Sequence, residues 1–310
     1  MSYLLGFNTI CQTIALVWRL DSNRRQTRVW RYIIKSLLHP VASVRWALAL
    51  WTLPELRIWL RNNPRILLKP GRNYLNRNYS FSDRAKVVLS HYSLLSGLVS
   101  RSTIESLSNG NALLLATIEG KNGVSYQVTL SKTSKYDREG EAVLGLMDTT
   151  QQVQIWTFVF TLTGCRVNAG IEIGCMQGTK DQDARELIKR ATKELHGIRP
   201  INLLTDAIYE IKREWNIANC YGVCNVSRVY NGKSTYLDYD AFWLELGGVI
   251  NRDEMFRLPH KLEHRLLMNI PSHHRSEYKR RTALRLNLST QISLNLKALR
   301  SPEAEKYYVR

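Results

Sequence analysis

The chain is short of acidic side chains: its 310 residues contain 26 Asp/Glu against 44 Lys/Arg, for a formal net charge of +18. Residues 1–86 hold 15 basic and 3 acidic side chains, residues 257–310 hold 12 and 4, and the stretch between them holds 17 and 19. A nearly neutral centre with basic ends is typical of a protein that meets a polyanion. The composition leaves two such partners, an anionic membrane surface and a nucleic acid.

Cysteine is also scarce. The five cysteines cannot build a disulfide framework, and their odd number favours a reducing compartment, with the cytoplasm as the default. Four of them could be imagined as a zinc site, but the paired short spacings of a zinc ribbon are missing. We therefore expect no metal, and interpret these residues as small core side chains: Cys165, Cys175, Cys220 and Cys224.

Long apolar runs are missing as well. The first residues lack the charged start and cleavage pattern of a secretory signal, so we expect none. The longest apolar candidate is VASVRWALALWTLPELRIWL, which Arg45, Pro54, Glu55 and Arg57 interrupt. We expect that it does not cross a bilayer.

Tryptophan and arginine are concentrated near the N-terminus, where five of the eight tryptophans fall within the first 59 residues. Tryptophan at an interface and arginine near anionic headgroups are the ingredients of a helix that lies on a membrane. Ordinary helices that pack tryptophan on the core, with arginine in solvent, would have the same composition. Both interpretations remain open at this point.

The hydrophobic period divides the chain into three parts. Residues 1–80 indicate a basic, Trp-rich helical region; residues 81–250 an α/β core; and residues 251–310 a basic strand and helix extension. In the core, a helix capped by Ser82 or Asp83 runs to about Leu98, and five strands with Gly, Asn or Asp turns follow. Their close spacing predicts an antiparallel meander, and the fold class is α+β.

A strand, a turn and a helix follow one another in residues 169–197. Ala184, Leu187, Ile188, Ala191 and Leu195 form one helical stripe. Thr179 and Gln182 predict a capping box at the start of this helix, and Gly197 predicts a left-handed stop at its end. A second helix begins at Pro200, and IANCYGVCNV returns as a buried strand.

This order of elements is similar to the GCN5-related N-acetyltransferase arrangement, in which turn amides hold the pyrophosphate of an acyl-coenzyme A. The corresponding turn here would be formed by Gln177, Gly178, Thr179 and Lys180. The second glycine of that pattern is absent, an extra helix precedes the returning strand, and Asp181 and Asp183 would repel phosphate. A plain capped helix is the alternative.

A wider resemblance lies in three blocks, MQGTKDQDARELIKRATKELHGIRPINLL, YGVCNVSRVY and LDYDAFWLELGG. With the basic, Trp-rich beginning, they resemble the VirK/YbjX family of enterobacterial proteins. The resemblance implies a cytoplasmic, envelope-related factor associated with virulence and with resistance to antimicrobial peptides. The resemblance supplies no established catalytic activity for this chain.

Candidate site residues come from the same blocks. Glu172, on a strand face lined by Gly170 and Gly174, is the candidate base, with Tyr221 or Tyr230 as the acid. Further candidates either belong to a pocket or have structural and solvated roles: His196, Arg199, Asp238, Asp240 and Glu245. Phe242 and Trp243 are expected in the core.

Three functions follow from different classes. The first is a peripheral inner-membrane virulence factor, with acyl transfer as its candidate activity. The second is a non-enzymatic adaptor with the same fold. The third is a nucleic-acid-binding post-transcriptional regulator, which ranks last because no nucleic-acid motif is present.

Overall fold

The computed structural model describes residues 26–180, 183–230, 237–251 and 253–300. The α-helices are α1 Gln26–Leu38, α2 Pro40–Thr52, α3 Pro54–Asn62, α4 Phe81–Leu98, α5 Arg101–Asn109, α6 Ala184–Glu194, α7 Pro200–Glu214, α8 Tyr239–Glu245 and α9 Arg275–Ala298. The strands are β1 Leu113–Glu119, β2 Ser125–Lys132, β3 Ala142–Asp148, β4 Val153–Thr163, β5 Gly170–Gly178, β6 Asn219–Val223, β7 Val249–Ile250 and β8 Met255–Arg257. The fold is therefore α+β, as predicted.

One mixed sheet of eight strands organises the chain, in the order β1-β2-β3-β4-β5-β6-β8-β7. Strands β1 to β5 form the predicted antiparallel meander. Strand β6 then pairs parallel to β5 after the crossover through α6 and α7. Antiparallel pairs resume where β8 joins β6 and β7. The five strands predicted from alternating side chains and turn residues are therefore present in the predicted order.

Both predicted helix caps are in the wrong place. Helix α4 is capped by Ser80, whose hydroxyl accepts from the Asp83 N–H while the Asp83 carboxylate accepts from the Ser80 N–H. Helix α6 begins after Asp183, and the Asp183 side chain makes no capping hydrogen bond at this N-terminus. Thr179 lies four residues before Asp183, the N-cap position, and its N–H donates to Ile155 O (3.0 Å), which extends the pairing of β5 with β4.

The stop of α6 is as predicted. Gly197 has φ +81° and the preceding His196 has φ 55°, so two consecutive left-handed residues end the helix. The Gly197 N–H donates to Thr192 O (2.7 Å) and so satisfies a terminal carbonyl. Gln182, the other half of the predicted capping box, lies outside the described residues.

A single hydrophobic cluster continues from the N-terminal helices through the sheet to α9. Helix α4 packs on β4, α7 packs on β3 and β4, and α9 packs on α7 and β1. The basic helix α9 is held by polar contacts too: Arg285 pairs with Asp206 (2.8 Å), and the Asn295 amide donates to Leu115 O (2.9 Å). The C-terminal cations are thus partly used within the fold.

A buried ionic network joins the N-terminal region to the sheet. Lys69 and Glu141 form an ion pair in which both side chains are inaccessible to solvent. The Glu141 carboxylate also accepts from the hydroxyls of Tyr74 (2.7 Å) and Tyr92 (2.6 Å). Burial lowers the pKa of Lys69, and the charge of Glu141 opposes that effect.

Three of the four described cysteines are buried, which confirms their interpretation as core residues; Cys165 is exposed, contrary to it. Within the described ranges, no group of three or more His, Cys, Asp or Glu could hold a metal ion. No single helix in the same ranges is long and apolar enough to span a membrane. Two consecutive segments, Trp30–Leu38 and Pro40–Thr52, reach that composition only together, across a bend of 117°.

Candidate functional site

Glu172 is the third residue of β5 and lies opposite Thr161 on β4 and Tyr221 on β6. Its side chain is buried, and the Tyr79 hydroxyl donates to its Oε2 (2.7 Å). Burial raises the pKa of Glu172 to about 7, although hydrogen bonds from Tyr79 and Thr163 oppose the rise. A carboxyl with this pKa can both take up and release a proton near neutral pH.

A cavity of about 460 Å³ is lined by Tyr79, the donor of this hydrogen bond, whereas Glu172 itself is not among the lining residues. Its lining includes three acids and one base, Asp83, Asp253, Glu254 and Lys86. Tyr79 belongs to the lining and to the Glu172 hydrogen bond, so its hydroxyl connects the cavity to the buried carboxyl. This acidic cavity contrasts with the net charge of +18 for the chain.

The pairing of β5 with β6 stops halfway along β5. It covers Gly170–Ile173 only, whereas β5 continues against β4 to Gly178. A bulge lies at this point, where the register against Val159 and Phe160 shifts. Gly174 is required there, since a Cβ would come within 2.0 Å of Glu139 O.

Tyr239 on α8 occupies the gap that results. Its hydroxyl accepts from the Met176 N–H (2.6 Å) and donates to Met176 O (2.7 Å). One side chain therefore satisfies both backbone groups that a continuing β6 would have paired. Burial raises the pKa of Tyr239 well above its ordinary value, so the hydroxyl keeps its proton.

Cations surround the end of β5 beyond this gap. The Arg228 guanidinium lies over the Tyr239 ring (4.4 Å), and that of Arg138 lies over the Tyr230 ring (4.7 Å). Burial raises the pKa of Glu139, while the charges of Arg138, Lys180 and Arg228 lower it, which places all three near this carboxyl. The side of the gap near Arg138, Lys180 and Arg228 is therefore basic, whereas the cavity lined by Tyr79 is acidic.

The predicted phosphate turn has a different backbone from the one expected. Gln177 and Gly178 still belong to β5, and a Cβ on Gly178 would meet the Trp156 ring (2.8 Å) and Ile188 (3.0 Å). The Thr179 N–H is used by β4, so these amides do not form a helix N-terminus. Of the four turn residues, Lys180 is exposed and lies near the basic end of the gap.

The remaining predicted residues are not brought to Glu172, except Tyr221, which pairs with it in register. Tyr230 is 56% exposed and stacks with Arg138. His196 ends α6, and its carbonyl accepts from Arg281 Nε (2.6 Å); Arg199 pairs with Glu245 on the surface.

The carboxylates of LDYDAFWLELGG have local roles. Asp238 caps α8 by accepting from the Ala241 N–H (3.1 Å), and Asp240 accepts from the Asn225 N–H (2.8 Å). Trp243 is fully buried, which confirms the prediction that it is a core residue. Sequence reasoning missed Tyr79 and Tyr239, because a tyrosine in a basic linker or a helix start has no signal of its own.

This α+β chain belongs to the family described as "Protein of unknown function (DUF535)", whose model matches residues 21–293. The Escherichia coli protein named "Uncharacterized protein YbjX" is similar to it, with 29% identity over 259 residues, 81% of this chain and 78% of that protein. A Haemophilus influenzae protein is 29% identical over 175 residues, 55% of this chain and 58% of its own length. The VirK/YbjX resemblance is confirmed. None of these descriptions names a reaction, so the geometry of the site is the basis for a functional proposal.

Proposed function

We propose that this protein is an acyl-coenzyme A-dependent acyltransferase that acts on an amine. The observation that carries the proposal is the gap between the parallel strands β5 and β6, close in sequence to the buried Glu172, together with the acidic cavity that its hydrogen-bond partner Tyr79 lines. The sheet order β5-β6-β8-β7, with a helical crossover before β6 and α8 after it, supports a GCN5-related N-acetyltransferase arrangement. A shared fold does not by itself establish a reaction, so the assignment depends on the side chains of the site.

The acceptor half of the site suits a cationic amine. Asp83, Asp253 and Glu254 attract a protonated amine into the cavity. In this proposal a proton of the ammonium group reaches Glu172 by way of the Tyr79 hydroxyl, which lines the cavity and bonds the carboxylate. The nitrogen lone pair then becomes available for attack. Tyr79 holds the carboxylate in place through its 2.7 Å hydrogen bond.

The donor half suits a phosphorylated thioester. The bound acyl-coenzyme A supplies a thioester carbonyl, at which the new C–N bond forms as the C–S bond breaks. Arg138, Lys180 and Arg228 provide positive charge for its phosphates. The attacking nitrogen loses its second proton as the C–N bond forms, and in this proposal Tyr239 relays that proton to the leaving thiolate. The Tyr239 hydroxyl, which now bonds the Met176 N–H and C=O, takes up one proton as it gives another and so is not left ionised.

The cellular role in this proposal follows from the family resemblance. We place the protein in the cytoplasm, peripherally on the inner membrane, where it supports envelope integrity and resistance to antimicrobial peptides. Complementation of a deletion strain with wild type or Glu172→Gln, followed by survival in a cationic peptide, tests whether that role needs the chemistry.

Calorimetry and turnover test the reaction directly. We expect the purified wild type to bind acetyl- or long-chain acyl-coenzyme A, and to release free thiol when a primary amine is added. Glu172→Gln should keep the binding and lose at least about a hundredfold in turnover. The control is Glu186→Gln, because the Glu186 carboxylate on α6 is 71% exposed and pairs with Lys189 on the surface. A folded wild type that binds no acyl-coenzyme A would favour the non-enzymatic adaptor.

A further inference from the structure

Helices α1 and α2 expose an apolar surface although their inner sides are already buried. The inner side contains Tyr32, Trp46 and Leu50, each at most 4% exposed. The outer side, which we call the apolar face, is between 41% and 75% exposed and consists of Trp30, Ile34, Leu37, Leu38, Val41, Leu48 and Trp51. These residues recur every three or four positions and continue across the α1–α2 junction, so they form a surface rather than scattered exposures.

The bend between the two helices shapes this surface. The direction of the chain changes by 117° between Trp30–Leu38 and Pro40–Thr52. Leu37, Leu38 and Val41 lie at the corner and are the most exposed of the set, at 75%, 70% and 65%. The corner is therefore the part that would enter an apolar medium first.

Cations accompany the apolar face. Residues 26–65 contain seven Lys/Arg and a single acid, Glu55. Arg31 borders the stripe of α1, and Arg45 lies between Val41 and Leu48 on the outer side of α2; both arginines are exposed. Apolar side chains that insert between headgroups, with arginines at headgroup level, complement an anionic bilayer. A second copy of this chain carries the same positive charge and would be repelled.

We infer that the apolar face of α1 and α2 docks the protein on an anionic lipid bilayer. The inference deepens the membrane association within the proposed function by assigning it a surface. It does not depend on acyl transfer, because the apolar face shares no residue with the acidic cavity that Tyr79 lines.

Co-sedimentation with vesicles of phosphatidylglycerol and phosphatidylethanolamine tests the docking. We expect the full-length wild type to sediment with these vesicles, to bind pure phosphatidylcholine far less, and to show a blue shift of tryptophan emission. Leu38→Asp/Leu48→Asp should weaken binding at least about tenfold, since it removes inserted apolar groups and adds repulsion. The matched control is Leu286→Asp/Leu294→Asp on α9, with the same change of charge at leucines that are 66% and 62% exposed.

Three results would overturn the inference. The wild type stays in the supernatant at low salt; both double variants bind alike; or the wild type is a dimer that Leu38→Asp/Leu48→Asp converts to a monomer, so that a second copy covers the face. Melting curves of both variants establish that they are folded. Acyl-coenzyme A calorimetry on the same samples separates a failure of docking from a failure of the proposed chemistry.

Discussion

The Tyr79 hydroxyl donates a 2.7 Å hydrogen bond to Glu172 Oε2, across 93 residues of sequence. Burial and the charge of Glu172 raise the pKa of Tyr79, so it donates at every physiological pH. The phenol therefore stabilises the charged form of a carboxyl that burial would otherwise keep neutral.

Tyr79→Phe removes this donor, and we expect the pKa of Glu172 to rise above its present value of about 7. The measurement is a pH titration of the Glu172 carboxyl by NMR, or the acid limb of the turnover profile. Tyr221→Phe is the control, because Tyr221 is the strand neighbour of Glu172 but its hydroxyl does not contribute to that pKa. An unchanged or lower pKa in Tyr79→Phe would show that the hydrogen bond does not control the carboxyl.

Stability should depend on pH through the same group. The folded protein keeps the Glu172 proton up to a pKa of about 7, whereas the ordinary value is 4.5, so the folded state binds more protons between these two values. Stability should therefore fall as pH rises through this window, by on the order of 3 kcal/mol in total. Denaturant unfolding at pH 5 and pH 8 measures the loss.

Glu172→Gln is the decisive comparison for that pH effect. It mimics the protonated carboxyl, so its free energy of unfolding should change much less between pH 5 and pH 8. The exposed Glu245→Gln should retain the wild-type dependence. An equal pH dependence in Glu172→Gln and wild type would assign the effect to other groups.

Trp243→Ala should lower the free energy of unfolding by about 3 to 5 kcal/mol. The ring is fully buried, and its indole N–H donates to Val223 O (3.0 Å), so the change leaves both a cavity and an unpaired carbonyl. Leu244→Ala is the neighbouring control, because Leu244 is 62% exposed. Thermal and denaturant unfolding measure this change in the free energy of unfolding. A loss below about 1 kcal/mol would mean that α8 does not anchor the core.

Lys69→Met should destabilise the fold by about 3 to 5 kcal/mol, since it leaves the Glu141 carboxylate buried without its cation. The exposed Lys86→Met removes the same charge at the surface and should change stability by less than about 0.5 kcal/mol. Equal melting temperatures of Lys69→Met and wild type would show that the Lys69–Glu141 ion pair does not stabilise the folded protein. Hydrogen exchange in α1 to α3 would then report whether the N-terminal helices still dock.

Local pattern was enough to predict much of the fold. Alternating side chains identified the meander, the stripe of Leu187, Ile188 and Ala191 identified α6, and Pro200 marked the start of α7. Glu172 was singled out because it lies on a strand face with two glycines, and the burial of Trp243 follows from its size and apolar neighbours. These are properties of a few adjacent residues, which the periodicity of helices and strands makes visible in sequence.

Only the tertiary structure decided the contacts that join distant segments. Tyr79 bonds Glu172 across 93 residues of sequence, and Lys69 bonds Glu141 across 72. The residues adjacent to Tyr79 and Lys69 give no indication of these partners. The residue at which α6 begins was also not evident from the sequence. Thr179 still belongs to the sheet, because its N–H donates to Ile155 O on β4. The exposure of Leu37 and Leu38 depended on which side of α1 the core occupies, since an apolar helix face has the same sequence whether protein or lipid covers it.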